Sequence, residues 1–128
     1  MSTRCTIHFH WDKEKDPTAI IYRHCDGYPD AILPDLHQFF ADVKEQTNDT
    51  RFGDPSYLAA KFVVWQADQY AINYRPDAEG NWGHVKGNML DFISLGVLMD
   101  DPGDIEYRYH LWCGGDMKEP EVTWEEVE

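Results

Sequence analysis

Apolar and polar residues alternate from the start of the chain. In TRCTIHFHW, Cys5, Ile7, Phe9 and Trp11 interleave with Arg4, Thr6, His8 and His10, the period of two that marks a half-buried strand. DKEKDP reads as a turn. TAIIYRH, rich in β-branched and aromatic residues, reads as a second strand that completes an antiparallel hairpin. The period then changes. Leu33, Leu36, Phe39, Phe40 and Val43 recur every three or four positions and predict an amphipathic helix from about Asp30 to Glu45, with Pro34 in its first turn, where a missing N–H is tolerated. Asp54 followed by Pro55 is a cap with proline at the first helical position. Leu58, Ala59, Phe62, Val63, Trp65 and Tyr70 then predict a second helix of roughly four turns.

The stretch between Tyr74 and Asn88 has three glycines and no clear period, so it reads as a loop. LDFISLGVLM is a strand or short buried segment, and DDPGD is a tight turn. In IEYRYHLWC, Ile105, Tyr107, Tyr109 and Leu111 alternate with Glu106, Arg108, His110 and Trp112. That strand is expected to form a second hairpin with the segment before it. EVTWEEVE reads as a fifth, edge strand whose glutamates discourage further pairing. The order β-β-α-α-β-β-β gives an α+β class: an antiparallel sheet of four to five strands with two helices on one face. Residues 1–128 are expected to form a single compact domain.

Charge narrows the function classes. Against 24 acidic residues stand 11 Lys and Arg, a formal charge of −13, which opposes direct binding to nucleic acid or to anionic membranes. Residues 100–128 alone hold ten acids and two basic residues. No apolar window is long enough for a membrane helix, and Met1 to Trp11 lacks the pattern of a signal peptide, so a cytoplasmic location is expected. Cys5, Cys25 and Cys113 are an odd set without C-x-x-C spacing, which fits reduced thiols. Five Trp and seven Tyr are many for this length. Trp11, Trp82, Trp112 and Trp124 fall near strand ends, loops or polar faces, where aromatics serve as interface anchors.

The densest cluster of polar chemistry is IYRHCDGYPD. A strand delivers Tyr22, Arg23 and His24, Gly27 is placed to supply a positive φ, and Pro29 and Asp30 start the helix. Asp26 or Asp30 would cap backbone N–H groups and Arg23 would pair with Asp26, which explains the stretch as a turn. The same geometry suits a small carboxylate or phosphate held at a helix N-terminus by Arg23 and His24.

The motif Y-R-H-x-D-G-Y-P, here Tyr22, Arg23, His24, Asp26, Gly27, Tyr28 and Pro29, resembles a group of short, uncharacterised phage, prophage and bacterial proteins. STRCTIHF, LAAKFVVWQA and DPGDIEYRYHL extend the resemblance over most of the chain. It implies context rather than chemistry: small acidic phage proteins that bind and block host machinery, including defence nucleases. The expectation that follows is a non-enzymatic inhibitor whose acidic, aromatic face covers a basic, nucleic-acid-binding surface of a host protein. Its binding residues would be Arg23, His24, Asp26, Tyr28, Trp112, Trp124, Asp100, Asp101, Asp104, Glu125 and Glu126. Pairing of exposed strand edges into a homodimer stays open.

The alternative is a small-anion binder built on the Arg23 to Tyr28 turn, or a metal-dependent enzyme. His8 and His10 share one face of the first strand and His110 lies on the polar face of a late one. If those strands are neighbours, three imidazoles meet as in open zinc sites. There is no H-E-x-x-H, G-x-S-x-G, Walker loop or G-x-G-x-x-G. His24 and Cys25 point to opposite sides of a strand and form no dyad. The sequence therefore assigns no catalytic residue, metal or cofactor.

Overall fold

A computed structural model describes residues 3–73 and 93–127. The strands are β1 (Cys5–Trp11), β2 (Ala19–Arg23), β3 (Leu95–Leu98), β4 (Tyr107–Cys113) and β5 (Glu121–Glu126). Two helices, α1 (Pro29–Gln46) and α2 (Pro55–Asn73), lie between β2 and β3 in the chain. The five strands form one sheet in the order β3-β2-β1-β4-β5. The class is α+β, as the alternation of periods predicts, and the sheet is mostly antiparallel. Among the described residues, no helix is long and apolar enough to cross a membrane. The predicted 74–88 loop, with Trp82, falls outside the described residues.

The centre of the sheet departs from expectation. β1 and β4 run parallel, with Cys5 opposite Tyr107, His8 opposite His110 and Trp11 opposite Cys113. β4 therefore does not form a hairpin with β3, which pairs instead with β2 from Ile20–Leu98 to Arg23–Leu95. Residues 99–106 carry the chain from one edge across to the far side of β1. That crossing covers three strand spacings, roughly 14 Å, well within the reach of those residues. The hairpin that does form at this end is β4–β5.

One face of the sheet is the core face. Cys5, Ile7, Phe9, Tyr109 and Leu111 are fully buried there, packed with Ile32, Leu36 and Phe39 of α1 and with Leu58 and Phe62 of α2. Rings set edge to face, such as Phe39 on Phe62 at 5.3 Å and 86°, interlock the two helices. α2 begins as the Asp54-Pro55 pair predicts: Asp54 Oδ1 accepts the Ser56 and Tyr57 N–H groups at 3.1 and 3.3 Å. α1 differs in detail. Pro29, not Asp30, opens it, and Tyr28 stands at the cap with no side-chain bond. Pro34 therefore lies inside the helix rather than in its first turn. The bond it omits is offset by buried Ile32 and Leu36 on either side.

The turn between β2 and α1 also corrects one expectation. The left-handed residue is Asp26 (φ 54°), not Gly27, since a short acidic side chain tolerates that region. Gly27 is required for closeness instead: a Cβ there would stand 2.9 Å from Cys5 Cβ and from the Thr3 carbonyl oxygen. The Gly27 N–H donates to that carbonyl at 2.9 Å, and Tyr109 Oη donates to the Gly27 carbonyl at 2.7 Å.

Candidate metal centre

The sheet face opposite the helices carries the site. Strand register sets out its rows: Tyr22, Thr6, Arg108 and Glu125 lie side by side, then Ile20, His8, His110 and Thr123, then His10, Trp112 and Glu121. His8 and His10 share this face because side chains two apart on a strand point the same way. The parallel β1–β4 pairing sets His110 beside them. One nitrogen from each of the three rings lies within 4.8 Å of the others.

Although they stand on the helix-free face, His8 is only 4% exposed and His10 only 1%. Trp112 stacks on His10 at 4.1 Å and 18°, and the Trp112 indole N–H donates to Thr123 Oγ1 at 2.9 Å. Residues 99–106 bring Asp101 over His8, with 3.7 Å between Asp101 Oδ2 and His8 Nε2.

Each imidazole directs one nitrogen toward an outer partner. His10 Nδ1 lies 2.9 Å from the Glu14 carbonyl oxygen; a carbonyl only accepts, so Nδ1 carries the hydrogen and Nε2 keeps its lone pair. The β1–β2 turn aims that carbonyl: Glu14 N–H bonds Trp11 O at 3.0 Å, with Lys13 at φ 64°. His8 Nε2 lies 3.0 Å from Thr6 Oγ1, and His110 Nε2 faces Glu125 Oε2 at 3.8 Å. Arg108 joins the two carboxylates, donating from Nε to Asp101 and from Nη1 to Glu125. Partial burial opposes ionisation of Asp101, but the Arg108 bond holds its carboxyl below the usual range.

The electrostatics favour the neutral form of all three rings. Burial, then the neighbouring His110, pushes His8 down to about 4. Burial lowers His10 against the pull of the Glu14 carbonyl. Burial and the proximity of His10 lower His110 against the opposing charge of Glu125. Neutral imidazole is the form that ligates a metal.

His10 Nε2 and His110 Nδ1 stand 2.8 Å apart, so one hydrogen is shared between them, and the His10 tautomer assigns it to His110. Two nitrogens on one tetrahedral zinc ion, bonded at ~2.0–2.1 Å, sit roughly 3.4 Å apart. An ion in place of that hydrogen thus needs the rings to part by about half an ångström, within ordinary side-chain adjustment. Three protein ligands leave a fourth position for water or another exchangeable ligand.

The other predicted site residues are dispersed. Arg23 is buried and turns inward, donating to Asp35 at 2.7 Å, Gln66 at 3.1 Å and the Cys25 carbonyl at 2.9 Å. It does not pair with Asp26. His24, Asp26 and Tyr28 face outward, with His24 Nδ1 2.6 Å from Tyr22 Oη. The stretch binds β2 to both helices and converges on no common point. Asp104 is tied to Arg4 at 3.0 Å. Asp100, Glu126 and Trp124 are exposed, but Trp124 and Glu126 share the face of Tyr109 and Tyr107, opposite to Trp112 and Glu125. The acidic and aromatic residues of the C-terminal strands are thus split between two faces. A separate apolar cleft of about 560 Å³ lies between the helices, lined by Phe39, Val43, Tyr57, Val64 and Trp65.

Sequence reasoning names the three histidines as a metal alternative and places Asp101 and Glu125 in a separate acidic docking face; it does not single out Thr6, Glu14 or Arg108. The available signal is the i, i+2 spacing: Thr6 precedes His8 and Arg108 precedes His110 on the same strand faces. No family model, no curated protein and no solved structure matches the chain.

Proposed function

We propose that this protein binds one zinc-class divalent ion per chain through His8, His10 and His110. The observation that carries the reading is the convergence of three imidazoles, two buried and one half-buried, within 4.8 Å, with the ligating nitrogen of His10 fixed by the Glu14 carbonyl. Neutral nitrogen donors suit zinc and its first-row neighbours better than calcium or magnesium, which take oxygen ligands. Three protein ligands and an exchangeable fourth match the donor count of catalytic zinc sites rather than of closed structural ones. Calorimetric titration of zinc into the chelator-treated protein tests the reading. One equivalent bound by the wild type, with a loss of at least a hundredfold in affinity for His110→Ala, supports it. No heat and no bound zinc in the wild type rejects it.

A second reading rests on Trp124, 47% exposed on the edge strand β5 and flanked by Glu121, Glu125 and Glu126, in a chain of net charge −13. This edge would dock a basic protein surface, and the host nuclease implied by the sequence resemblance belongs to this reading. Salt-sensitive partner capture that survives Glu121→Lys with Glu126→Lys would remove it.

A further inference from the structure

We infer that Asp101, Arg108 and Glu125 form an outer-shell clamp that selects the ligating nitrogens of His8 and His110, so that metal affinity depends on residues that never touch the ion. The inference rests on the metal reading of the three histidines.

The geometry carries it in three steps. First, the outer nitrogens of two rings face carboxylates across a gap longer than a hydrogen bond: His8 Nε2, which meets the Thr6 hydroxyl at 3.0 Å, is 3.7 Å from Asp101 Oδ2, and His110 Nε2 is 3.8 Å from Glu125 Oε2. A ring whose Nε2–H points at a carboxylate presents its Nδ1 lone pair inward, and a carboxylate behind a ligating histidine raises its basicity. Second, the carboxylates are not free to turn away. One guanidinium holds both, Nε on Asp101 and Nη1 on Glu125, and Asp101 Oδ1 is further fixed by the Gly103 N–H at 2.8 Å. Third, Arg108 stands in register between Thr6 and Glu125, one row from His8 and His110, so the strand pairing that assembles the ligands also assembles the clamp.

Proton bookkeeping closes on the same groups. Without the ion, the Nδ1 hydrogen of His110 is shared with His10 Nε2 across 2.8 Å. With the ion, that nitrogen gives its lone pair to the metal and the ring carries its hydrogen on Nε2, facing Glu125. The ring stays neutral and no net proton is released. His10 needs no carboxylate because the Glu14 carbonyl already fixes its tautomer. Asp101, Arg108 and Glu125 are therefore positioning residues. The cluster of two carboxylates and one guanidinium also leaves a net negative charge behind three neutral ligands, which favours a dication.

The test uses the full chain and cobalt(II) as the probe, read by its visible absorption and by competition with zinc. Asp101→Asn and Glu125→Gln preserve shape but weaken acceptance, and each is expected to lower affinity roughly tenfold to hundredfold and to displace the cobalt bands. Arg108→Lys keeps the charge but cannot hold two carboxylates in one plane; a loss of about tenfold, with altered bands, is expected. Far-ultraviolet circular dichroism of each variant confirms folding, and Glu125→Gln, on the exposed edge strand, decides the test if either of the others fails to fold. Wild-type binding with all three variants within twofold, and with unchanged bands, overturns the clamp while leaving the metal reading intact. Failure of the wild type to take up cobalt or zinc removes both.

Discussion

His10 Nε2 lies 2.8 Å from His110 Nδ1, although one hundred residues separate them in the chain. The contact exists because β1 and β4 pair in parallel at the centre of the sheet, and His10 enters it with its other nitrogen already committed to the Glu14 carbonyl at 2.9 Å. A shared hydrogen between two imidazoles, one of them 1% exposed, is a site that a transition metal can take over at the cost of one hydrogen bond, about 1 kcal/mol net.

Metal binding to the folded state alone raises its stability by mass action. At free zinc about a hundred times the dissociation constant, the unfolding midpoint should rise by roughly 10 °C, and a chelator should reverse the rise. His24→Ala, which changes an exposed histidine outside the triad, should leave the shift intact in a thermal melt, whereas His10→Ala should abolish it.

Arg23 ties β2 to α1 and α2 through Asp35 and Gln66. Arg23→Met fills the volume but strips a buried amide and a half-exposed carboxylate of their partner. A loss of about 3 kcal/mol in urea unfolding is expected, with zinc affinity unchanged. A change in affinity comparable to that of a histidine variant would place the Y-R-H-x-D-G-Y-P stretch back in the functional site.

Gly27 has no room for a side chain, with Cys5 Cβ and the Thr3 carbonyl both 2.9 Å from where a Cβ would stand. Gly27→Ala should destabilise the fold by about 1–3 kcal/mol through forced backbone movement. The loss should appear in the denaturant midpoint rather than the slope. An equal cost for Asp26→Gly, where φ is already 54°, would contradict this assignment.

Cys5 and Cys113 are buried at 0% and 2% exposure, and burial pushes both thiols up to about 12. Since the thiolate is the nucleophile, alkylation at pH 8 should be slowed by at least about a thousandfold relative to the unfolded chain. Mass spectrometry after iodoacetamide should find both unmodified in buffer and fully modified in denaturant. Rapid native labelling of Cys5 would mean that β1 opens readily.

Local periodicity carried most of the fold. The strand TRCTIHFHW, the Asp54-Pro55 helix start and the edge character of EVTWEEVE were all legible because each depends on neighbours within a few residues. The pairing of β4 with β1 was not, since nothing within IEYRYHLWC distinguishes a parallel partner from the antiparallel one next to it in the chain. The same limit applies to the site. His8 and His10 announce a shared face, but His110 joins them only through that long-range pairing. Glu14 contributes a main-chain oxygen, which no residue-type pattern reveals. Asp101 and Glu125 read in sequence as part of an acidic docking face, and only their common bond to Arg108 shows them backing a histidine cluster. In the Y-R-H-x-D-G-Y-P motif, Arg23 was expected to pair with Asp26 and pairs instead with Asp35, in the second turn of α1.

Diffraction from a zinc-soaked crystal, recorded on both sides of the zinc absorption edge, tests the central claim most directly. The expected result is a single anomalous peak per chain at bonding distance, ~2.0–2.1 Å, from His10 Nε2, His110 Nδ1 and a nitrogen of His8. A map with no peak among these three rings, in crystals whose zinc signal lies elsewhere or is absent, would contradict it.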